Sequence, residues 1–278
     1  MKPRMVLIGS AVLFLVVVAG GAAWYFSPSY SSRSVAADDM GLPIPPVPPR
    51  IAESPEYERC LGMLATDPAG AGSFAGTWQT KGGGDAAAHC LALSMIALGE
   101  PAEGAALLER VAADEHVPAA ARAVIYGQAA QAWLMTGQAN EANHDAALGL
   151  ALSADDPDLL VEGAVAAAAA AHYQDAVDDL TRALAIDGRR ADALIDRATA
   201  LRHLGRLDAA EADIQRAIAI DPNNPEALLE RGILRQRRDD PAGARTDWER
   251  TIVLAPDTTT ADLAQQNLAL LEAGPERQ

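Results

Sequence analysis

The stretch that decides the fold is residues 191–224, ADALIDRATALRHLGRLDAAEADIQRAIAIDPNN. Its closing Asp221-Pro-Asn-Asn aligns with Asp187-Gly-Arg-Arg before it and Ala255-Pro-Asp-Thr after it, which sets a period of 34 residues. The period gives units at 157–190, 191–224 and 225–258, another at 123–156 without a gap, and a poorer one at 85–118. The same positions recur within the units. The eighth is small (Ala92, Ala130, Ala164, Ala198, Gly232), as is the twentieth (Gly104, Ala142, Ala176, Ala210, Ala244). The fourth, twenty-fourth and thirtieth are apolar in the last three units: Leu160, Leu180, Ile186; Leu194, Ile214, Ile220; Leu228, Trp248, Leu254. Gly99, Gly137 and Gly205 mark a turn between two helices. The spacing predicts antiparallel helix pairs: small residues let the two helices approach, and large ones fill the space between neighbouring pairs.

This pattern resembles the tetratricopeptide repeat, over residues 85–258 in five units. The best match is 191–224, with Leu194, Ala198, Leu201, Gly205, Ala210, Ala217 and Pro222 in the family's positions. Gly188, Asp239, Pro241 and Thr251 depart from it. The resemblance implies an all-α, right-handed α-solenoid, with a divergent helix pair at 55–84 and a capping helix within 259–278. It also implies a concave groove lined by the first helix of each pair, through positions 2, 5, 9, 12 and 13. Those positions carry Leu134 and Met135 in one unit, Val161 and Val165 in the next, then Ile195, Arg202 and His203, then Ile233, Gln236 and Arg237. The groove so read is apolar first and becomes polar and basic toward its C-terminal end. A partner segment would lay apolar side chains on Leu134, Met135, Val161 and Val165 and direct a carboxylate to Arg202 and Arg237, because arginine grips a carboxylate with two hydrogen bonds. The same arginines sit at helix C-termini, where a cation stabilises the macrodipole without any ligand. The lysine-based carboxylate clamp of the family is not matched, since lysine occurs only at positions 2 and 81.

Composition narrows the function classes. The chain has 278 residues, 50% hydrophobic and 4% aromatic, with a net charge of −16. That apolar content excludes a disordered chain. The acidity is regional: residues 36–179 hold 21 acids and five bases, whereas 180–250 hold 13 of each. An acidic half without a basic stripe excludes a phosphate-backbone partner, so no nucleic acid is expected. The chain is fully used by repeats and connections, and no phosphate loop, nucleophile elbow or metal-binding helix occurs. No catalytic residue, metal, cofactor or small-molecule substrate is expected.

Residues Met5 to Phe26 form a 22-residue run without a charge, preceded by Lys2 and Arg4 and closed by Trp24 and Tyr25. As a helix it is about 33 Å long, enough for a hydrocarbon core of roughly 30 Å. Residues 1–26 are therefore expected to be a cytoplasmic stub and signal anchor in a bacterial inner membrane, N-terminus inside and the rest in the periplasm. The alternative is export with cleavage after Gly21-Ala22-Ala23. Residues 27–54, serine-rich and then Pro-rich through Pro43-Ile-Pro-Pro-Val-Pro-Pro49, read as an extended stalk.

Cys60 and Cys90 each lie in a helical run, and in an oxidising compartment an even pair on neighbouring helices predicts a structural disulfide. A metal site using the adjoining His89 lacks the four recurrent ligands that zinc needs. Cys60, Trp78, Gly82-Gly-Gly84 and His89-Cys90 also resemble, loosely, the N-terminal part of exported repeat proteins of alphaproteobacteria. The resulting expectation is a membrane-tethered periplasmic scaffold or adaptor that binds a protein or peptide. The alternative is a periplasmic substrate-holding chaperone or assembly factor for envelope proteins or cytochromes.

Overall fold

The structure, a computed structural model, describes residues 51–273. The expected membrane segment 1–26 and most of the stalk lie outside the described residues, and no helix within them is long and apolar enough to cross a membrane. The described residues form thirteen α-helices and no strand.

The helices run as pairs: α1 Pro55–Leu64 with α2 Pro68–Thr80, α3 Gly84–Ala97 with α4 Pro101–Ala113, α5 Ala119–Met135 with α6 Ala139–Leu152, and α7 Pro157–Ala169 with α8 Tyr173–Ile186. They continue as α9 Ala191–His203 with α10 Leu207–Ile220 and α11 Pro225–Arg237 with α12 Pro241–Leu254, ending at a single α13, Thr259–Ala273. Sequence sets many of the starts. Ser54, Asp67, Asp156, Asn224 and Asp240 accept backbone N–H bonds from the first turn, and each is followed by proline, whose missing N–H costs nothing there.

Each of the five repeat units reverses direction at a residue with positive φ in its fifteenth position: Gly99, Gly137, Ala171, Gly205 and Asp239. Three are glycine, the residue that enters this region without a Cβ clash. Ala171 and Asp239 adopt it at φ 62° and 60°.

Within the repeats α5, α7, α9, α11 and α13 each pack on the next, whereas α6, α8, α10 and α12 have no comparable contact with one another. The first helices of the pairs are therefore the inner layer. The core between layers is built from the fourth and twenty-fourth positions, where Leu160, Leu180, Leu194, Ile214 and Trp248 are fully enclosed. The small eighth position is needed at Gly232, since a Cβ there would lie 2.3 Å from Trp248 Nε1. The thirtieth position departs from the expected packing role: Ile186 is 52% exposed and Ile220 is 37% exposed. Both are the last residue of a second helix.

At the N-terminal end Cys60 and Cys90 form a disulfide that joins α1 to α3. Beside it runs a buried polar chain. Tyr57 Oη lies 2.8 Å from His89 Nδ1, and His89 Nε2 lies 2.6 Å from Gln128 Oε1. Because the amide oxygen only accepts, Nε2 carries the ring proton and Nδ1 accepts from the tyrosine hydroxyl, so the imidazole is held neutral. Burial pushes its pKa down to about 4. Both ring nitrogens are engaged by protein partners, α1 to α3 to α5.

Candidate protein-binding groove

The first helices bring the predicted groove residues to one layer, with unequal access. Met135 at the end of α5 and Val165 on α7 are 40% and 38% exposed. Leu134 is half-buried against Ala130, Ala142 and Ala146, and Ile233 is half-buried against the Trp248 cluster. Val161 and Ile195 are buried in the core around Leu160 and Leu194, so packing between α7 and α9 takes them out of reach of a partner. Position 5 in these two units serves the fold.

The polar end is also rearranged relative to the sequence reading. Arg202 does not face solvent as a free cation: its Nε lies 2.5 Å from Glu230 Oε1 on α11, and both side chains are almost fully enclosed. Arg237 and His203 are exposed and Gln236 is half-buried, and among the described residues no hydrogen bond or ion pair holds the Arg237 guanidinium. His203 stacks on Tyr173, ring centroids 4.3 Å apart and planes 4° from parallel. Its pKa is lowered, first by partial burial and then by the positive charges of Arg202 and Arg237.

The expected basic character is offset by a carboxylate row, half of it at a position that the list omits. The sixth position of successive units is Gln128, Glu162, Asp196 and Glu230, and the second position of the last three is Asp158, Asp192 and Glu226. Sixth-position acids face back toward the preceding unit: Gln131 Nε2 donates to Glu162 Oε1 at 2.8 Å, as Arg202 does to Glu230. Arg190 bridges Asp158 and Asp192 at 2.6 Å each. Burial first, and neighbouring carboxylates second, push Glu162 and Asp196 up to about 7. Burial also raises Glu230, against the pull of Arg202. The signal was available as acids at i and i+4 recurring with the repeat period.

The layer thus combines exposed apolar side chains on α5 and α7, carboxylates with raised pKa on α7 to α11, and one accessible arginine at the end of α11. Among the described residues no cluster of three or more His, Cys, Asp or Glu could hold a metal ion.

Residues 205–269 match the tetratricopeptide repeat family model. No curated protein sequence matches the chain. Among solved structures, the Cut9–Hcn1 hetero-tetramer of APC/C is similar over 77% of this chain at 19% identity and a TM-score of 0.58, and the chain spans 42% of that protein. TTC0263, a thermophilic tetratricopeptide protein of Thermus thermophilus, is similar over 67% of this chain and 100% of its own length, at 19% identity and a TM-score of 0.53. YrrB, described as a tetratricopeptide protein with an unusual peptide-binding site, is similar over 66% of this chain and 91% of its own, at 18% identity and a TM-score of 0.50. The described residues have the tetratricopeptide solenoid fold.

Proposed function

We propose that this tetratricopeptide-repeat chain is a non-enzymatic scaffold or adaptor that holds an extended segment of a partner protein along its first-helix layer. The observation that carries the reading is the pair Met135 and Val165, large apolar side chains exposed on consecutive inner helices of a rigid solenoid. The partner lays apolar side chains there and turns a carboxylate toward Arg237, the accessible guanidinium, while Arg202 stays with Glu230. His203, fixed flat on Tyr173, forms the wall next to it. The peptide-binding site named for YrrB supports this use of the fold.

We infer also that residues 1–26 tether the chain to a bacterial inner membrane and that the solenoid works in the periplasm. The Cys60–Cys90 disulfide supports an oxidising compartment. A second reading, a substrate-holding chaperone, draws on the exposed Met135, since methionine adapts to many apolar shapes.

A photo-reactive side chain placed at Met135 or Val165, compared with one at Val253 on α12, tests the groove in native membranes. The reading expects one discrete adduct from the first two positions and none from the third. A smear of many adducts from the first two favours the chaperone. Equal adducts from all three positions overturn the groove.

A further inference from the structure

The twenty-third position is aspartate in four successive units: Asp145, Asp179, Asp213 and Asp247. In the last two units the seventh position supplies an arginine that grips it at both ends. Arg197 reaches Asp213 at 2.7 and 2.8 Å, and Arg231 reaches Asp247 at 2.9 and 2.6 Å. In unit 157–190 the seventh position is Gly163, and Asp179 is reached by Arg182 at 2.9 Å. In unit 123–156 the seventh position is Ala129, and no arginine or lysine of the described residues reaches Asp145. That aspartate is 1% exposed, and its Oδ2 has no hydrogen-bond partner.

A second carboxylate lies against it. Glu109 of α4 accepts the indole N–H of Trp133 at 2.7 Å, and its charge adds to burial in holding Asp145 well above the usual carboxylate range. Where the later units provide a guanidinium with five N–H donors, this unit offers one indole N–H to two carboxylates. Next to Glu109 opens a cavity of about 260 Å³, lined further by Asn140, Glu141 and His144 of α6. Its walls carry further acceptors in Asn140 and Glu141, and among the described residues no arginine or lysine pairs with Glu109 or Glu141.

We propose that this cavity is a receptor for a guanidinium, an arginine side chain of the partner protein that takes the place of the arginine missing from the seventh position. Glu109 and Glu141 accept its N–H groups, and Asp145 backs Glu109 from the buried side. Arginine fits better than lysine because its planar fork can serve two carboxylates at once, as Arg190 does between Asp158 and Asp192. The site is formed by second helices, apart from the groove. Only the source of the arginine rests on the partner-binding reading.

The test titrates the full chain with Nα-acetyl-arginine amide and follows the indole N–H signal of Trp133. Nα-acetyl-citrulline amide, the same shape without the charge, is the control. The expected result is a saturable shift with the arginine compound alone, at least tenfold weaker affinity in Glu109→Gln and Glu141→Gln, and no response in Ala129→Arg, whose own guanidinium fills the place. If Ala129→Arg fails to fold, the two glutamate variants carry the comparison. An equal response to citrulline, no saturable response, or a response that survives Glu109→Gln overturns the proposal. Val165→Asp, which disables the proposed groove, leaves the titration unchanged, so the two readings fail independently.

Discussion

Arg197 holds Asp213 through Nε and Nη2, and this contact ties the first helix of the 191–224 pair to the second. Asp213 is 4% exposed, so removing the arginine leaves a buried charge with only the longer 3.4 Å contact to Arg216. Arg197→Met is expected to cost about 3 kcal/mol, and Arg197→Met with Asp213→Leu less than the single change, because the double variant leaves no buried charge unpaired and the exposed Arg216 is solvated. Urea denaturation of both single variants and the double gives the coupling. Additive costs would show that the two residues stabilise the pair of helices separately.

Ala171 turns between α7 and α8 at φ 62°, where Gly99, Gly137 and Gly205 serve in sister units. An L-residue pays roughly 1–2 kcal/mol in this region, and glycine avoids most of it. Ala171→Gly should therefore stabilise by about 1 kcal/mol, and Gly205→Ala should destabilise by a similar amount. Thermal melts of the two variants check the opposite signs; a loss in both would mean that the turn is not strained at Ala171.

The Cys60–Cys90 disulfide closes a loop with a sequence separation of 30 at the N-terminal end of the described helices. In the chain-entropy account a closure of this length stabilises by about 3.5 kcal/mol. Cys60→Ala with Cys90→Ala should lower the melting temperature, and adding reductant should move the parent chain toward the variant but leave the variant where it is.

His89 makes the same end sensitive to acid. Its folded pKa is lowered by burial to about 4, from 6.5 when unfolded, so the unfolded chain binds the extra proton first as pH drops. Its contribution is complete above pH 6.5, declines as pH falls and is gone below about 4, a loss on the order of 3 kcal/mol. Urea midpoints at pH 7, 5.5 and 4 should fall more steeply for the parent than for His89→Gln, which cannot take up the proton. Parallel curves would show that His89 is not the titrating group.

How far the sequence could be read depends on the range of each signal. The fold was legible because its rule repeats: Ala198, Gly205 and Ala210 each have a counterpart 34 residues away, and small residues at fixed spacing have a packing reason. The Arg197–Asp213 pair was harder, since its partners lie 16 residues apart on different helices, and only the recurrence at Arg231 and Asp247 marks it. Tyr57, His89 and Gln128 meet across separations of 32 and 39, which no local pattern encodes. Ala171 hid its turn because alanine carries no turn chemistry. In the groove, Met135 and Val165 were placed by their repeat positions, whereas the fate of Arg202 depended on Glu230, an acid 28 residues away whose position had not been counted among those facing the groove.

That last contact separates two arginines that the repeat positions both assign to the groove. Glu230 is 5% exposed, so Arg202→Gln leaves a buried carboxylate without its cation. The raised pKa lets Glu230 take up a proton instead, which limits the cost to about 2 kcal/mol at neutral pH and makes it smaller in mild acid. Among the described residues Arg237 has no ion-paired or hydrogen-bonded partner, and it is exposed, so Arg237→Gln should leave the melting temperature within about 1 °C of the parent, as surface changes do. If the partner's carboxylate docks there, Arg237→Gln nevertheless weakens binding by about tenfold, which is about 1.4 kcal/mol. Crosslink yield from the photo-reactive residue at Val165 reads this directly. A drop in Arg237→Gln at unchanged stability assigns Arg237 to the partner, whereas an unchanged yield moves the partner's charge contact away from the end of α11.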